Sequence, residues 1–424
     1  MRLYSTASRS LEELPQPPGP IRIYYCGPTV YQRIHVGNAY AVSIFPLWLT
    51  RWLEERGYET TLVVNITDVN DKIYEAAPGA SAQLAEDATR WYVEDTDHLG
   101  LGRPDHEPKA TETIPEIVAL IEELIERELA YAVDGDVYFR VARFPAYGRL
   151  SRQKPDEVEE QEPNPLKEDP RDFALWKANK PGEDTSWDSP WGRGRPGWHI
   201  ECSAMAEKYL GPEFEIHGGG LDLVFPHHED EIAQSQGAGR PFARVWVHNG
   251  MLRFGGEEMH KSTGNVVSLR DALDRWGRET LLVFFLTGHW RKPLDFTEET
   301  LTAAEARAEG FREVFRNPSE PAADGAWDEF AAALDDDFNT AEALAIMHSW
   351  RDHDLLRRAL DVFGLASLAE QAEAPAEVRE LAERRDRARA ERDFDEADRL
   401  RAEIDAAGWE VRDVAAGFRL VPKR

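Results

Sequence analysis

Residues 21–38, "IRIYYCGPTVYQRIHVGN", decide how the rest of the chain is read. The apolar run from Ile21 to Cys26 predicts a buried strand, and Gly27 with Pro28 ends it. The stretch "AYAVSIFPLWLTRWLEERG" (39–57) carries apolar residues at helical spacing and predicts a helix stopped by Gly57. A second strand follows in "ETTLVVNITDVND" (59–71), which runs into polar residues. Strand, helix and strand in this order make a right-handed crossover with parallel strands. Ligands of such sheets collect beyond the carboxyl ends of the strands, where Cys26 and the Thr67-Asp68 pair are expected.

Outward from that unit, 424 residues exceed one ordinary core. Residues 1–104 read as the first half of a Rossmann-like catalytic domain. Between 105 and 190 a helix, a hairpin at "GDVYFRV" and an acidic, proline-bearing stretch read as an inserted module. Parallel-sheet character returns over 191–245 through "GWHIECSAMAEKYLG", "FEIHGGGLDLVFPHHEDEIAQS" and "FARVWVHNGML", so that both cysteines are expected at carboxyl ends of strands. Residues 246–302 form a junction with a glycine-flanked loop, 303–370 a charge-rich helical region, and 371–424 a small terminal unit with an amphipathic helix and a short hairpin. The fold class is therefore α/β, a parallel sheet split by an inserted module and followed by a helical tail.

Composition narrows the functions. The apolar runs, such as "LLVFFL" at 281–286, fall far short of the ~20 residues of a membrane span. The N-terminal segment lacks the charged-then-apolar layout of a secretion signal, which points to the cytosol. Two cysteines cannot build a disulfide framework and are free for chemistry or packing. A net charge of −29 opposes broad, nonspecific nucleic-acid binding and leaves room for a local basic surface.

Two constellations carry chemistry. Cys202 lies in "WHIECSAM", and His227 and Glu231 in "PHHEDE" are four residues apart, on one face of a helix. With Cys26 they offer two thiolates, an imidazole and a carboxylate, a set suited to tetrahedral zinc; on composition His228 serves as well as His227. In "HVGN", His35 and Asn38 flank a glycine at a helix start, where free N–H groups favour a phosphate. The glycines of "HGGGLDL" allow a close ligand, with Asp222 placed to accept from ribose hydroxyls. The loop "GGEEMHKSTGN" carries Lys261 and Ser262, which could close over a triphosphate. Read singly, each is also an ordinary turn, packed thiol or solvated face.

Taken in order, Cys-Gly-Pro-Thr-Val-Tyr leading into His-Val-Gly-Asn, "NITDVNDK", "PGWHIECSAM", "IHGGGLDLVFPHHEDEIAQS" and "MHKSTGN" make the chain resemble the cysteinyl-tRNA synthetases, of the class I aminoacyl-tRNA synthetases. "PRDFALWK", "HWRKPLDFT" and "DDDFNTAEAL" agree. The resemblance implies one zinc on Cys26, Cys202, His227 and Glu231, with the substrate's own sulfur completing the shell. It implies ATP as substrate, with Mg2+, phosphate contacts from His35, Asn38, Lys261 and Ser262, and adenosine contacts from Asp222. It implies an amino-acid pocket at Gly27, Thr67, Trp198 and His217, and L-cysteine, ATP and tRNA(Cys) as partners. A metal that takes a thiolate far better than a hydroxyl would reject serine without a second, hydrolytic site.

The pattern also departs from that family. Glu258 stands where the first lysine of Lys-Met-Ser-Lys-Ser is usual and His260 where its serine is; Tyr40 replaces an arginine and Pro46 an aspartate. The helical stretch between Asn339 and Glu370 is short. Alternatives are a ligase passing activated cysteine to a small amine, as the mycothiol cysteine ligases do, and a noncatalytic paralogue that binds nucleotide or tRNA. Glu231 and the ending "DFDEADRLRAEI" favour tRNA as acceptor.

Overall fold

The computed structural model describes residues 1–153, 162–254, 257–258, 266–370, 373–414 and 417–422. Four strands, β1 (Pro20–Tyr25), β2 (Glu59–Val64), β3 (Glu213–Gly220) and β4 (Phe242–Asn249), form a parallel sheet in the order β4-β3-β1-β2. Tyr24 pairs with Val63 on one side and His217 on the other, and His217 pairs in turn with Trp246. Strands of a parallel sheet covered on both faces are apolar throughout, and Ile21, Ile23, Tyr24 and Tyr25 are all buried. Because β1 lies beside β3, the residues that follow Tyr25 emerge next to those that follow Gly220, although the whole inserted module separates them in sequence.

The crossover helix starts at Val36 and is not uniform. Val36–Ala39 and α1 (Phe45–Glu55) are α-helical, but Tyr40–Ile44 is a π-helical turn. Pro46 accounts for the break: its nitrogen has no hydrogen to donate and its ring crowds the carbonyl four residues back, so the preceding turn widens. Gly57, at φ 84°, closes the helix in a conformation that glycine adopts without strain. Trp48 and Trp52 of α1 reach the helical tail, donating to the Phe363 carbonyl (3.0 Å) and the Asp335 carboxylate (3.2 Å).

One expectation needs correction. Cys202 does not end a strand; "GWHIECSAMAEKYLG" folds as α2 (Trp198–Leu210). From Ile200 to Ala206 every residue of α2 is buried, so no amphipathic stripe marks the helix, and the strong helix formers Ala204, Met205, Ala206, Glu207 and Lys208 decide its conformation instead.

The inserted region packs the helix Ile114–Glu126 on an antiparallel sheet of Ala130–Val133, Asp136–Phe139, Phe173–Ala178 and Gly194–Pro196. Its hairpin turns at Asp134-Gly135, both at positive φ, the pair that a two-residue turn of this kind requires. Phe139 stacks on Phe173 (4.9 Å), and their cluster reaches Ile200 of α2 and Ala233 of α3 (Glu229–Gly237). The module therefore rests on the two helices that carry Cys202 and Glu231.

Downstream lie the helical segment Leu269–Leu286, kinked at Gly277, and the helices Glu298–Arg316, Ala326–Asp335, Thr340–Ser349 and His353–Val362. Two further helices, Ala376–Ala390 and Phe394–Ala406, pack on the hairpin Trp409–Val414 and Gly417–Pro422, tied by Arg385 to Asp413 at 2.6 Å. Among the described residues no helix is long and apolar enough to cross a membrane.

Candidate active site and metal centre

β1 delivers Cys26 just past its carboxyl end, and α2 delivers Cys202 from its second turn. A kinked turn, Val224–His228, in which Phe225 is extended (φ −140°, ψ 132°), supplies His227 and leads into α3, which supplies Glu231. One donor atom from each of these four residues lies within 4.8 Å of the others, and all four are buried. The Cys26 thiol donates to Glu231 Oε1 at 3.3 Å, and His227 Nε2 is 3.2 Å from the same oxygen. Cys26, His217, His228 and Glu231 meet the same closeness, so the choice between His227 and His228 is open in the fold as in the sequence.

Each imidazole is oriented through its other nitrogen. His227 Nδ1 is 2.8 Å from His199 Nδ1, His199 Nε2 is 3.3 Å from Asp230 Oδ2, and the Tyr147 hydroxyl of the inserted module donates to Asp230 Oδ1 at 2.5 Å. His228 Nδ1 is 2.7 Å from His248 Nε2, whose Nδ1 is 2.7 Å from the Thr6 hydroxyl. His217 Nε2 holds the second oxygen of Glu231 at 2.8 Å. Burial pushes the Cys26 and Cys202 thiols up and the His227 and His228 imidazoles well down, so the protein alone favours neutral donors. Two sulfurs, an imidazole and a carboxylate in a dry pocket fit a borderline-soft divalent cation, whose charge would hold the sulfurs as thiolates. His228 Nε2, 3.9 Å from Glu231 Oε1, is buried with no hydrogen-bond partner, as expected where a further polar centre is accommodated.

The turn expected to receive phosphate is built from His35, which caps the helix Val36–Ala39: its Nδ1 accepts the Asn38 backbone N–H at 3.2 Å. Burial lowers the His35 pKa to about 4, so the ring is neutral near pH 7. A neutral ring whose Nδ1 accepts must carry its proton on Nε2, and His35 is thereby fixed as a donor.

A cleft of about 160 Å³ is lined by Cys26, Gly27, His35, Asn38, Trp198 and Asp222. It meets a second cavity of about 400 Å³, between the sheet and the inserted module, at Thr29, Lys72 and Trp198. Thr67 and His217 are buried behind the wall. The Trp198 ring centroid lies 4.3 Å from that of His227, and Lys72 Nζ is 6.0 Å from the Trp198 ring centroid. Lys261 and Ser262 lie outside the described residues, as do Met259 and His260; the backbone of Glu258 pairs with Arg253.

Three residues not singled out from the sequence belong to this arrangement. Lys72, the last residue of "NITDVNDK", brings a cation to the neck between the cavities. Asn65, in the same motif, is 1% exposed and bonded on both sides of its carboxamide. His199, next to Trp198 in "WHIEC", orients His227. The motif strings held all three, but pairing His199 with His227 required the fold.

Residues 13–306 match the model of the tRNA synthetases class I (C) catalytic domain, and residues 329–353 match the DALR domain. The chain is 42% identical to a cysteine-tRNA ligase of Geobacillus thermodenitrificans, over 99% of this chain and 98% of that one. It is 44% identical to a cysteine-tRNA ligase of Halorhodospira halophila, over 96% and 95%. Among solved structures, methionyl-tRNA synthetase of Mycobacterium tuberculosis in complex with methionyl-adenylate superposes with a TM-score of 0.58 at 14% identity, over 82% of this chain and 88% of that one, a likeness of fold.

Proposed function

The chain belongs to the cysteine-tRNA ligase family of class I synthetases, and from that membership we propose that it activates L-cysteine with ATP and transfers it to tRNA(Cys). The observation that carries the reading is the buried Cys26, Cys202, His227 and Glu231 cluster opening beside the His35-Asn38 turn. We assign zinc to these four residues in preference to the set with His217 and His228. Two sulfurs suit zinc better than one, and His217 Nε2, at 2.8 Å, is bonded more closely to Glu231 than His227 Nε2 is, at 3.2 Å. When bound, the cation supplies a site for a substrate thiolate that a serine hydroxyl fills poorly.

The remaining roles follow from the chain's own groups. Cysteine lies between the metal end and the neck, with Gly27 and Thr67 beside its backbone, Trp198 against it and His217 behind the floor. Its carboxylate then faces the α-phosphate of ATP seated on the His35 turn. His35 Nε2–H and Lys72 stabilise charge on the phosphates as pyrophosphate leaves, aided by the helix start and by Mg2+ carried with the ATP. Asn38 and Asp222 bound the nucleotide, and Lys261 and Ser262 are assigned to the pyrophosphate side. Catalysis is mainly positioning of two reactants and stabilisation of developing charge. The second cavity, which opens from the neck toward the inserted module, suits entry of the acceptor.

In the division of labour we propose, 105–190 guides the acceptor end, 303–370 the tRNA body and 371–424 the anticodon region. The test is cysteine-dependent ATP–pyrophosphate exchange on metal-quantified protein, followed by transfer of labelled cysteine to tRNA(Cys). Exchange with transfer is expected; exchange with transfer only to a small amine would assign the acceptor differently, and no exchange would overturn the enzyme reading.

A further inference from the structure

Asn65 joins two parts of the site that the proposed function treats separately. Its Oδ1 accepts the Gly27 N–H at 2.8 Å and, at 3.6 Å, the Cys202 thiol; its Nδ2 donates to the Thr67 hydroxyl at 3.2 Å. The Gly27 bond comes from the peptide that follows Cys26 and does not depend on the protonation of either cysteine. Gly27 is held down on the same residue: a β-carbon there would sit 1.6 Å from the Asn65 backbone oxygen. The two loops are also stitched by main-chain bonds, Val30 N to Thr67 O (3.1 Å) and Thr67 N to Pro28 O (3.0 Å), so the carboxamide sits in a rigid frame. It is 1% exposed, and its three partners are all groups of the protein.

A single rigid amide therefore ties Gly27, which lines the cleft beside Cys26, to the buried Thr67 behind the wall on the side assigned above to the substrate's backbone. We propose that Asn65 is a positioning residue that gauges side-chain length, so that an amino acid with one methylene between Cα and sulfur fits and one with two, homocysteine, does not. This rests on the reading of the site as a cysteine-activating one. The metal distinguishes sulfur from oxygen but is indifferent to how many methylenes precede the sulfur, so length must be measured by the protein. One additional methylene against a fixed wall is worth roughly 10–200-fold in discrimination.

The experiment is ATP–pyrophosphate exchange with cysteine, homocysteine and serine on wild type, Asn65→Ala, Asn65→Asp, Thr67→Val and the double variant Asn65→Ala with Thr67→Val, with zinc content measured for each. Asn65→Asp keeps the acceptor for Gly27 but loses the donor to Thr67, and so serves if the alanine variant does not fold. Wild-type exchange with cysteine is the control for the underlying reading; its absence would remove that reading rather than this one. The expected result is that kcat/KM for cysteine falls about 10-fold, chiefly through KM, while homocysteine falls less. The cysteine:homocysteine ratio then shrinks, the cysteine:serine ratio and zinc content hold, and the double variant adds little to Thr67→Val. Equal losses for cysteine and homocysteine, or a loss of zinc that tracks the loss of activity, would reduce Asn65 to a packing role and overturn the proposal.

Discussion

The two ends of the cleft are built on different principles. At the metal end every donor is buried, and His227 and His228 are each held from behind by another histidine. At the nucleotide end the groups sit on a helix start and loops around an open cleft, with Asn38 exposed. In the proposed reaction the buried end fixes identity, because donor geometry that cannot relax rejects the wrong chemistry, and the open end fixes turnover, because it must admit ATP and release pyrophosphate. Damage to the first should therefore remove metal and selectivity together, and damage to the second should slow the reaction with the metal still in place.

The strongest way to break this contrast is Cys202→Ser. Zinc content should fall to near zero and cysteine activation by more than about 100-fold, beyond what loss of an orienting partner costs. Full zinc with near-normal exchange would transfer the metal to the set with His217 and His228. His35→Ala should mirror it from the other end: exchange drops by about 10²–10³-fold, the range for removing one charge-stabilising donor, with zinc unchanged. Loss of zinc in that variant would show that the ends are not separable. His199→Phe removes only the group behind His227 and should weaken zinc binding by about 10–100-fold, read by chelator competition. A change smaller than twofold would mean that packing alone orients His227.

The smallest effect is on stability against pH. Because His35 titrates near 4 when folded and near 6.5 when unfolded, the unfolded chain takes up its proton first as the pH falls. Its contribution is complete above about pH 6.5 and is lost on the way down to about pH 4. The urea midpoint should drop between pH 7 and pH 5, and less so in His35→Gln. An identical drop in both would assign the acid sensitivity to other groups.

What was legible in the sequence follows the same division. The strand ending at Tyr25, the helix start at "HVGN" and the hairpin at "GDVYFRV" are local: an apolar run, a glycine turn and an alternating stretch state them within a few residues. The four residues of the cluster Cys26, Cys202, His227 and Glu231 could be singled out because they are rare residue types in specific strings. Their supports could not, since Tyr147, Asp230, His199 and His227 form one chain only after the inserted module has docked on α2 and α3. The helix carrying Cys202 is hidden in the sequence because complete burial erases the periodicity from which a helix is recognised. The π-helical turn before Pro46 was hidden for another reason: the proline is visible, but how the chain absorbs it depends on the packing around Phe45 and Trp48.

The measurement that tests the central claim most directly is X-ray absorption at the zinc edge of the purified protein, without and with cysteine. Ligation by Cys26 and Cys202 predicts two sulfurs around the zinc in the free protein and three when cysteine is bound, with serine leaving the count at two. One sulfur in the free protein, or a count that cysteine does not change, would contradict a metal that holds both cysteines and recognises the substrate by its own thiolate.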